Sequence, residues 1–515
     1  MKGLLAAVFC FALASAPAYA QSASDMNAQL QALQRQLDAL KAQIDAIKAE
    51  QAITPITPPK PAATPAESFV RLKPGTTATF LVGKKDQIQA YGHFDMSFDD
   101  ASKGLAPFYF ASGDGPVGNR GWMTDISSNL SYIGVRGTHK LGDMSSLLYQ
   151  FETQIDISAS SGITETSSNE SDVVKGGLTS RNTYVGIQNG LGAFKIGKTD
   201  APYKNSTARM NPFNGEWGDY AVVMGNTGGD NRVEFGTRVD HAIWWESPNM
   251  GGLRLDALIA PGQNRSYDNS NLAAGEPDCA GGNIPGSGAL PPFCNDGSFG
   301  ALYSYDANYG AGPFYITGAY ELHKRVNRSS DLANLDPNDV ADEDAWKVGL
   351  QYIFAKMTTV SAIYENMHRY VPAYLQYQNE RTRDGWWVAV TQVLDRDSNI
   401  SFGWARANPT PGDPGQHNTP TTASPDNMAN LLTAAFKHNI DKHVGWYVDY
   451  ADTLNRPAAH YDLGAGGRGI TTDCHDASIL AAFDATVVPP VSGNGPHCYA
   501  GGHLQGASVG LYVNF

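Results

Sequence analysis

Beyond its N-terminal region, the chain has no run of about twenty apolar residues, the length that a membrane-spanning helix requires. Charged residues are also scarce: they make up 17% of the chain, below the usual share of about a quarter. Basic residues are outnumbered by acidic ones, 37 to 51, and the formal net charge is −14. This acidity disfavours nucleic acid or an anionic membrane face as a partner.

The N-terminus, residues 1–20, has the organisation of a secretory signal peptide. Lys2 is the positive start, residues 4–13 are the apolar run, and Ala18 and Ala20 form a small-x-small cleavage site. A membrane anchor is the alternative, but the apolar run is too short to span a bilayer as a helix. We therefore expect the mature protein to be exported.

Cysteine is rare, with five in the chain, and Cys10 lies within the signal peptide. The other four form two close pairs inside Gly/Pro-rich loops: Cys279 with Cys294, and Cys474 with Cys498. In an exported protein this spacing predicts two loop-stapling disulfides. A metal site is the alternative for the second pair, because His475 and His497 flank its cysteines, but an oxidising compartment favours the disulfide.

A helix with a narrow apolar seam is predicted directly after the signal peptide. Its apolar residues are spaced alternately four and three apart, at Met26, Leu30, Leu33, Leu37, Leu40, Ile44 and Ile47. This heptad pattern predicts a coiled coil over residues 21–53, and isoleucine at both core positions favours three or more strands. A helix packed on its own domain is less favoured, because a Pro-rich linker (54–66) leads away from any core. A short segment (67–86) then precedes the first long strand.

From residue 87 the pattern changes to strands of about ten residues with a period of two. In the first of them, apolar Ile88, Phe94 and Phe98 alternate with polar Gln89 and Asp95. Glycine, with 54 residues, and aromatic side chains, at 10%, are typical of repeated β-hairpins at this density.

The connections between these strands alternate between short turns and long loops. Short turns are predicted at 139–145, 188–192, 310–313, 355–356, 395–398 and 439–443, and long loops near 100–128, 158–180, 199–232, 261–298, 324–343, 368–383, 407–427 and 452–505. With a seventh short turn, to which no residues are assigned, eight long loops and seven short turns join sixteen strands, which is the pattern of an outer-membrane barrel. The predicted fold is all-β: a 16-stranded antiparallel transmembrane β-barrel over residues 87–515, preceded by the coiled-coil helix.

One stretch permits a different interpretation. Residues 192–199 satisfy G-x-x-x-x-G-K-T, the pattern of the phosphate-binding loop of nucleotide hydrolases. That loop needs a strand before its first glycine and a helix starting at the lysine. Here the intervening residues alternate as a strand, and Asp200 and Pro202 follow where the helix would begin. We therefore expect a membrane hairpin, and we predict neither a nucleotide nor any other cofactor.

Several strand motifs resemble those of Gram-negative outer-membrane porins. The matching stretches, in order, are Ser131–Gly142, Arg181–Ile187, Leu191–Lys198, Arg238–Leu253, Phe436–Tyr447 and the alternating C-terminal strand that ends on Phe515. Two departures stand out: Thr138 and His139 replace the usual acidic pair, and Lys198 replaces the usual arginine, which loses bidentate carboxylate binding. Upstream, the stretch Phe69–Thr79 after a coiled coil is similar to the trimeric channels called DcaP-like.

The resemblance implies a water-filled channel for passive diffusion of small polar solutes and ions. In porins the third long loop folds inward and narrows the pore, with acids on the loop facing bases on the wall. The implied constriction candidates are Lys198, Arg238, Asp200, Arg209, Glu216, Asp219, Arg136 and Arg254, with Lys204, Asp230 and Lys347 as further charges. A channel selective for small organic anions such as dicarboxylates is the alternative that the DcaP-like match implies. Strand parity places Arg238, Asp240, Trp244 and Glu246 on the inward face.

Two other classes of function remain open in the sequence. A barrel enzyme would need a nucleophile beside His93 and Asp95 or beside His323 and Glu321, and none is assigned, so we do not expect an enzyme. A structural tether would use residues 24–51 to bind periplasmic cell-wall components. The predicted partners are otherwise a homotrimer, outer-membrane lipid and lipopolysaccharide, and small solutes.

Overall fold

The computed structural model describes residues 34–35, 38–39, 41–42, 70–73, 78–101, 122–155, 157–158, 181–225, 235–261, 300–327, 340–370, 382–410, 428–456, 459, 461, 463 and 503–515. The chain divides into two compact units, Met1–Ser68 and Phe69–Phe515. In the first unit, the six described residues are helical and exposed. The coiled coil over 21–53 and its oligomeric state stay predictions. Within the described part of the chain, no helix is long and apolar enough to cross a membrane.

In the described residues of the second unit there are nineteen strands and one short helix. The strands are β1 (Val70–Leu72), β2 (Thr79–Val82), β3 (Asp86–Ala101), β4 (Met123–Ser128), β5 (Tyr132–Lys140), β6 (Ser146–Gln154), β7 (Thr183–Asn189), β8 (Gly192–Asp200), β9 (Arg238–Glu246), β10 (Leu253–Pro261), β11 (Ala301–Ala311), β12 (Phe314–Asn327), β13 (Val340–Phe354), β14 (Thr358–Arg369), β15 (Arg383–Val393), β16 (Ser398–Ala407), β17 (Ala429–Asn439), β18 (Val444–Asn455) and β19 (His503–Asn514). Helix α1 spans Pro202–Ala208, and a 3₁₀ turn spans Tyr220–Val222.

The sheet closes on itself, because the last strand pairs with the first long one. In this seam β19 runs antiparallel to β3, from Gly506 opposite Ala101 to Asn514 opposite His93. The other edge of β3 pairs with β5 over its first half and with β4 over its second half, so β4 and β5 form one barrel strand. With β6 to β18 pairing in sequence, the result is a closed, antiparallel barrel of sixteen strands. The predicted fold class is confirmed.

The junction between β4 and β5 is held by backbone and side-chain hydrogen bonds to Asp95. The Asn129 backbone N–H donates to the Asp95 carbonyl at 2.9 Å, and the Asp95 N–H donates to Ser131 Oγ at 2.9 Å. Between them Leu130 has a φ of 55°. This break separates Met123–Ser128 from the following strand, so part of the predicted 100–128 loop is strand instead.

Before the barrel, β1 and β2 form a small hairpin on the first residues of β3. Thr79 to Val82 pair with Gln89 to Asp86, and β1 pairs with β2. Hairpin and barrel therefore share one continuous ladder at the start of β3.

The six predicted short turns are present, at 141–145, 190–191, 312–313, 355–357, 394–397 and 440–443, and a seventh lies at 247–252 between β9 and β10. The apolar/polar alternation of the strands places apolar side chains on the outside of the barrel and polar side chains inside it, as predicted. From Trp346 to the end of β13 the outward residues are all apolar and 39–52% exposed: Trp346, Val348, Leu350, Tyr352 and Phe354. Between them, polar Lys347 and Gln351 are buried inside the barrel. A barrel with an apolar outer surface and a polar interior has the pattern of a membrane-spanning pore.

Part of the interior is filled by a loop that follows β8. Its Met210, Phe213 and Trp217 are buried in a cluster that includes Trp387 from the wall. Phe213 meets Trp387 edge-on, with ring centroids 5.9 Å apart. Gly403 leaves the room for both rings, since a Cβ there would lie 2.3 Å from the Trp387 ring. This buried cluster is thus a contact between an inward loop and one side of the wall.

Candidate functional site

The inward loop covers residues 201–237, of which 201–225 and 235–237 belong to the described part of the chain. It starts with helix α1, where Pro202 occupies the first turn; the fixed φ of proline suits that position. Asp219 then caps the 3₁₀ turn by accepting from the Ala221 N–H at 3.0 Å. Two further donors, the Gly215 N–H and the Asn211 side chain, reach the same carboxylate. Burial raises the pKa of the Asp219 carboxyl in spite of these three donors.

Wall side chains hold the backbone of this loop along its length. The Tyr315 hydroxyl donates to the Ser206 carbonyl at 2.7 Å, and Lys437 Nζ donates to the Pro212 carbonyl at 2.7 Å. Thr433 Oγ1 donates to the Gly218 carbonyl at 3.2 Å. These wall residues lie on β12 and β17. The loop therefore extends from the end of β8 into the lumen and packs against that part of the wall.

Two buried carboxylates on the wall bind the loop where it turns. Glu365 accepts from the Tyr203 hydroxyl at 2.7 Å and from the Gly225 N–H at 2.6 Å. Glu321 accepts from the Gly236 N–H at 3.0 Å. Lys347, directly opposite Glu365 in the ladder, is 4% exposed and donates to Thr207 Oγ1 at 2.8 Å. Lys347 therefore also helps to hold the inward loop against the wall.

A cavity of about 560 Å³ remains between the inward loop and the opposite wall. The wall contributes His93, Asp95, Tyr132, Arg181, Asp200 and Arg238, and the loop contributes Lys204, Asn205, Asn211, Glu216 and Asp219. Charged groups of both signs thus face one narrow, water-accessible space. Such charged linings filter what passes through a pore.

Asp200 is the centre of a basic cluster on this cavity. Arg238 Nη2 lies 3.1 Å and Lys204 Nζ 2.9 Å from its carboxylate, and the Asn182 side chain donates to it at 3.0 Å. Lys204 is 45% exposed, whereas Arg238 and Asp200 are 10% and 14% exposed. Two cations share one carboxylate here, so the cluster carries an excess of positive charge toward the cavity.

Arg181 extends the basic cluster and was not among the sequence candidates. Its Nε donates to Glu152 Oε1 at 2.6 Å, and its guanidinium lies 4.5 Å from the centre of the Tyr132 ring. The signal for it is visible in the sequence, because Arg181 is the first residue of one of the porin-like motifs. It follows a long predicted loop, which is why strand parity did not assign it to the lumen.

The acidic groups of the loop are held more tightly than the basic groups of the wall. Glu216 is 5% exposed and pairs with Lys437 at 2.5 Å. Asp219 uses both of its oxygens to hold the loop. The predicted arrangement of loop acids facing wall bases is therefore present only in part, since the loop also supplies Lys204.

The structure brings four of the eight sequence candidates to the cavity: Arg238, Asp200, Glu216 and Asp219. Lys198 pairs with Asp240 at 2.9 Å, and neither lines this cavity. Beside Lys198, between Gly197 and Thr199, the register of β8 shifts against the start of β9, where His241 has a φ of 53°; simple strand parity does not account for that bulge. Arg209 donates to Gln351 at 3.0 Å and lies 4.3 Å from the Tyr315 ring.

The other two candidates, Arg136 and Arg254, lie on strands β5 and β10 away from the cavity. Asp230 and the four cysteines of the predicted disulfides lie outside the described residues. In the part of the chain that is described, no three His, Cys, Asp or Glu side chains form a metal-binding group.

The G-x-x-x-x-G-K-T stretch is a strand, as predicted. β8 runs through the whole motif to Asp200, and Lys198 lies within its ladder. Gly197 has a φ of 143°, and a Cβ there would lie 2.3 Å from the Thr183 carbonyl oxygen. The glycine is explained by close approach of the neighbouring strand.

A closed sixteen-stranded barrel with an apolar exterior and a loop inside its lumen defines a transmembrane pore. The sequence profile of Gram-negative porins matches residues 6–458, and the chain belongs to this family. It is an outer-membrane channel through which small solutes diffuse passively, as the sequence predicted. No curated protein matches the chain in sequence.

Solved structures show the same fold at low sequence identity. The anion-selective porin from Comamonas acidovorans has a TM-score of 0.55 at 15% identity, over 84% of this chain and 100% of that one. OmpF of Salmonella typhi, solved with daunomycin, has a TM-score of 0.50 at 14% identity, over 84% and 98%. The channel DcaP of Acinetobacter baumannii has a TM-score of 0.46 at 12% identity, over 85% and 100%. At these identities the likeness concerns the fold alone.

Proposed function

We propose that this porin favours small organic anions over cations. The observation that carries the proposal is the basic cluster, in which Arg238 and Lys204 share the single carboxylate of Asp200 beside the cavity. Arg181 adds a third cation, neutralised by Glu152. Counting these five groups leaves one excess positive charge. In a narrow lumen with low-dielectric walls, such an excess raises the local concentration of anions.

The acidic net charge of the chain does not oppose this proposal. A formal charge of −14 is spread over the whole sequence, whereas selectivity depends on charges within about a Debye length, ~8–10 Å, of the narrow passage. Of the acids that face the cavity, Glu216 pairs with Lys437, while Asp219 and Asp95 accept hydrogen bonds from neutral donors. The exposed Lys204 is the cavity charge best placed to meet a solute.

Substitution Arg238→Ala tests the preference. We expect the reversal potential in a potassium chloride gradient to shift toward cations, because Asp200 loses one of its two cations. Measurements on channels in planar bilayers read the shift directly. Arg396→Ala, in the short turn 394–397, removes an equal charge far from the cavity and serves as the matched control. An unchanged reversal potential in Arg238→Ala would leave a general-diffusion channel as the better description.

We also propose a homotrimer with its N-terminal coiled coil in the periplasm, set in outer-membrane lipid and lipopolysaccharide. The heptads over 21–53, with isoleucine at both core positions near their end, support three chains. A tether in which residues 24–51 bind cell-wall components is a second role compatible with conduction.

Deletion of residues 21–66 separates the two roles of the coiled coil. If the barrel alone determines assembly, trimers and conductance persist and only retention on isolated cell wall is lost. Native electrophoresis, bilayer recording and a cell-wall pull-down measure these three properties. Loss of trimers on deletion would instead show that the coiled coil drives assembly.

Catalysis has little support in the described residues. His93 Nε2 lies 3.8 Å from Asp95, and His93 Nδ1 contacts the Asn514 side chain at 2.7 Å rather than a nucleophile. His323 and Glu321 are both fully buried, with His323 stacked on Phe235. Neither pair has the exposed nucleophile that hydrolysis requires.

A further inference from the structure

Arg136 is a second lumen cation, separate from the cavity. It lies on β5 directly opposite Gln89 of β3 and Gln150 of β6. Its neighbours Ile133 and Val135 are each 41% exposed and belong to the apolar outer face, so the alternation of the strand places Arg136 inside. Relative to Arg181 it lies toward the short-turn end of the barrel.

The Arg136 guanidinium is held in place but not neutralised. Its Nε donates to Gln89 Oε1 at 2.8 Å, and its central carbon lies 4.8 Å from the centre of the Tyr91 ring. The side chain is exposed. In the described part of the chain no carboxylate lies within ion-pair distance of it. The Arg136 guanidinium is held at Nε by Gln89 and on one face by the Tyr91 ring. Its two Nη groups therefore remain available to donate hydrogen bonds to a planar, bidentate ligand such as a carboxylate.

A short network joins Arg136 to the basic cluster at the cavity. The Tyr91 hydroxyl donates to Glu152 Oε2 at 2.9 Å, and Glu152 Oε1 accepts from Arg181 at 2.6 Å. The Glu152 carboxylate therefore lies between the guanidinium groups of Arg136 and Arg181, and its ion pair is with Arg181. The wall from Arg181 to Arg136 keeps an excess positive charge.

We propose that Arg136 is a second binding station for the carboxylate group of a permeating solute, on the short-turn side of the constriction. This inference rests on the anion preference proposed above. Conduction requires each site to bind weakly enough to release its solute, and this is achieved by several sites in series. A carboxylate leaving the Arg181–Arg238 cluster would meet Arg136 before reaching the end of the lumen.

The test is inhibition of the chloride current by succinate in planar bilayers, with the neutral diamide succinamide as the matched probe. In Arg136→Gln we expect the succinate concentration that halves the current to rise several-fold. Succinamide should have no effect on the wild-type channel or on any variant. Arg136→Lys keeps the charge but loses the planar pair of N–H donors, so we expect this concentration to rise by an intermediate amount. Arg396→Gln removes an equal charge in the short turn 394–397 and should behave as wild type.

The two proposals fail in different ways. A wild-type channel with no anion preference, or an unchanged Arg238→Ala, contradicts the proposed function. An anion-preferring wild type in which Arg136→Gln leaves succinate inhibition unaltered contradicts the second station alone. Equal inhibition by succinamide would also overturn it, because the site would then not recognise a carboxylate.

Discussion

At the scale of single residues, Tyr447 closes the barrel seam. It lies opposite Gly510 in the β18–β19 ladder, is fully buried, and reaches over β19 to β3. Its hydroxyl donates to Asp95 Oδ1 at 2.9 Å and accepts from the Asn129 side chain at 2.9 Å. The glycine makes this path possible, since a Cβ at position 510 would lie 2.1 Å from Tyr447 Cζ.

Gly510→Ala should therefore destabilise the folded barrel. The added methyl displaces the Tyr447 ring and breaks its buried hydrogen bonds, at a cost of about 1–3 kcal/mol. Urea unfolding in detergent measures the loss. Gly318→Ala is the matched control, since Gly318 is also in a strand and a Cβ there would meet no atom within 4 Å. Equal stability of the two variants would show that Tyr447 does not depend on Gly510.

Individual site residues were predictable where a strand pattern or a motif fixed their position. Asp200 and Arg238 were found because they end and begin strands that flank the third long loop. Lys198 was assigned by the same reasoning, but the bulge at His241 places it against Asp240. A bulge depends on both strands of a pair, so one strand's alternation does not reveal it.

At the scale of elements, the inward loop is held in place by side chains of the barrel wall. Its carbonyl and N–H groups bond to side chains on β12, β14 and β17, as described for Tyr315, Glu365 and Lys437. Helix α1 is seven residues long and would be marginal alone, so these contacts stabilise it. The shape of the constriction is thus determined by hydrogen bonds between the loop and side chains of the wall.

Glu365→Leu should loosen the loop without removing a cavity charge of the basic cluster. The change leaves two buried donors, the Tyr203 hydroxyl and the Gly225 N–H, without their acceptor. Leaving a buried donor unsatisfied costs about 1–3 kcal/mol. We expect larger fluctuations of the open-channel current, measured in single-channel records. Glu365→Gln keeps an acceptor of the same size and should be closer to wild type; equally quiet records for Glu365→Leu would contradict the role of this contact.

The elements themselves were largely predictable, and their exceptions have physical causes. The period of two identified the strands, because each faces lipid on one side and a polar lumen on the other. The break between β4 and β5 and helix α1 were not predicted. The first depends on Asp95 bonding to Asn129 and Ser131, more than thirty residues away in sequence. The second depends on the wall that the loop packs against.

At the scale of the whole molecule, closure of the barrel followed from the count of turns and loops. An even number of strands returns the chain to its starting side, and pairing β19 with β3 leaves no open edge in the barrel. The path of the loop inside the barrel was not predictable in this way. Its contacts, such as Lys437 with Glu216, join residues 221 positions apart, and no local pattern encodes them.

The barrel is a passive, water-filled pore, and conduction by the purified protein tests this function most directly. In a planar bilayer with salt on both sides and no energy source, we predict stable channels with a linear current–voltage relation. If the protein is the proposed trimer, the channels open or close in groups of three equal steps. A correctly folded barrel that inserts into the bilayer but carries no current would contradict the account.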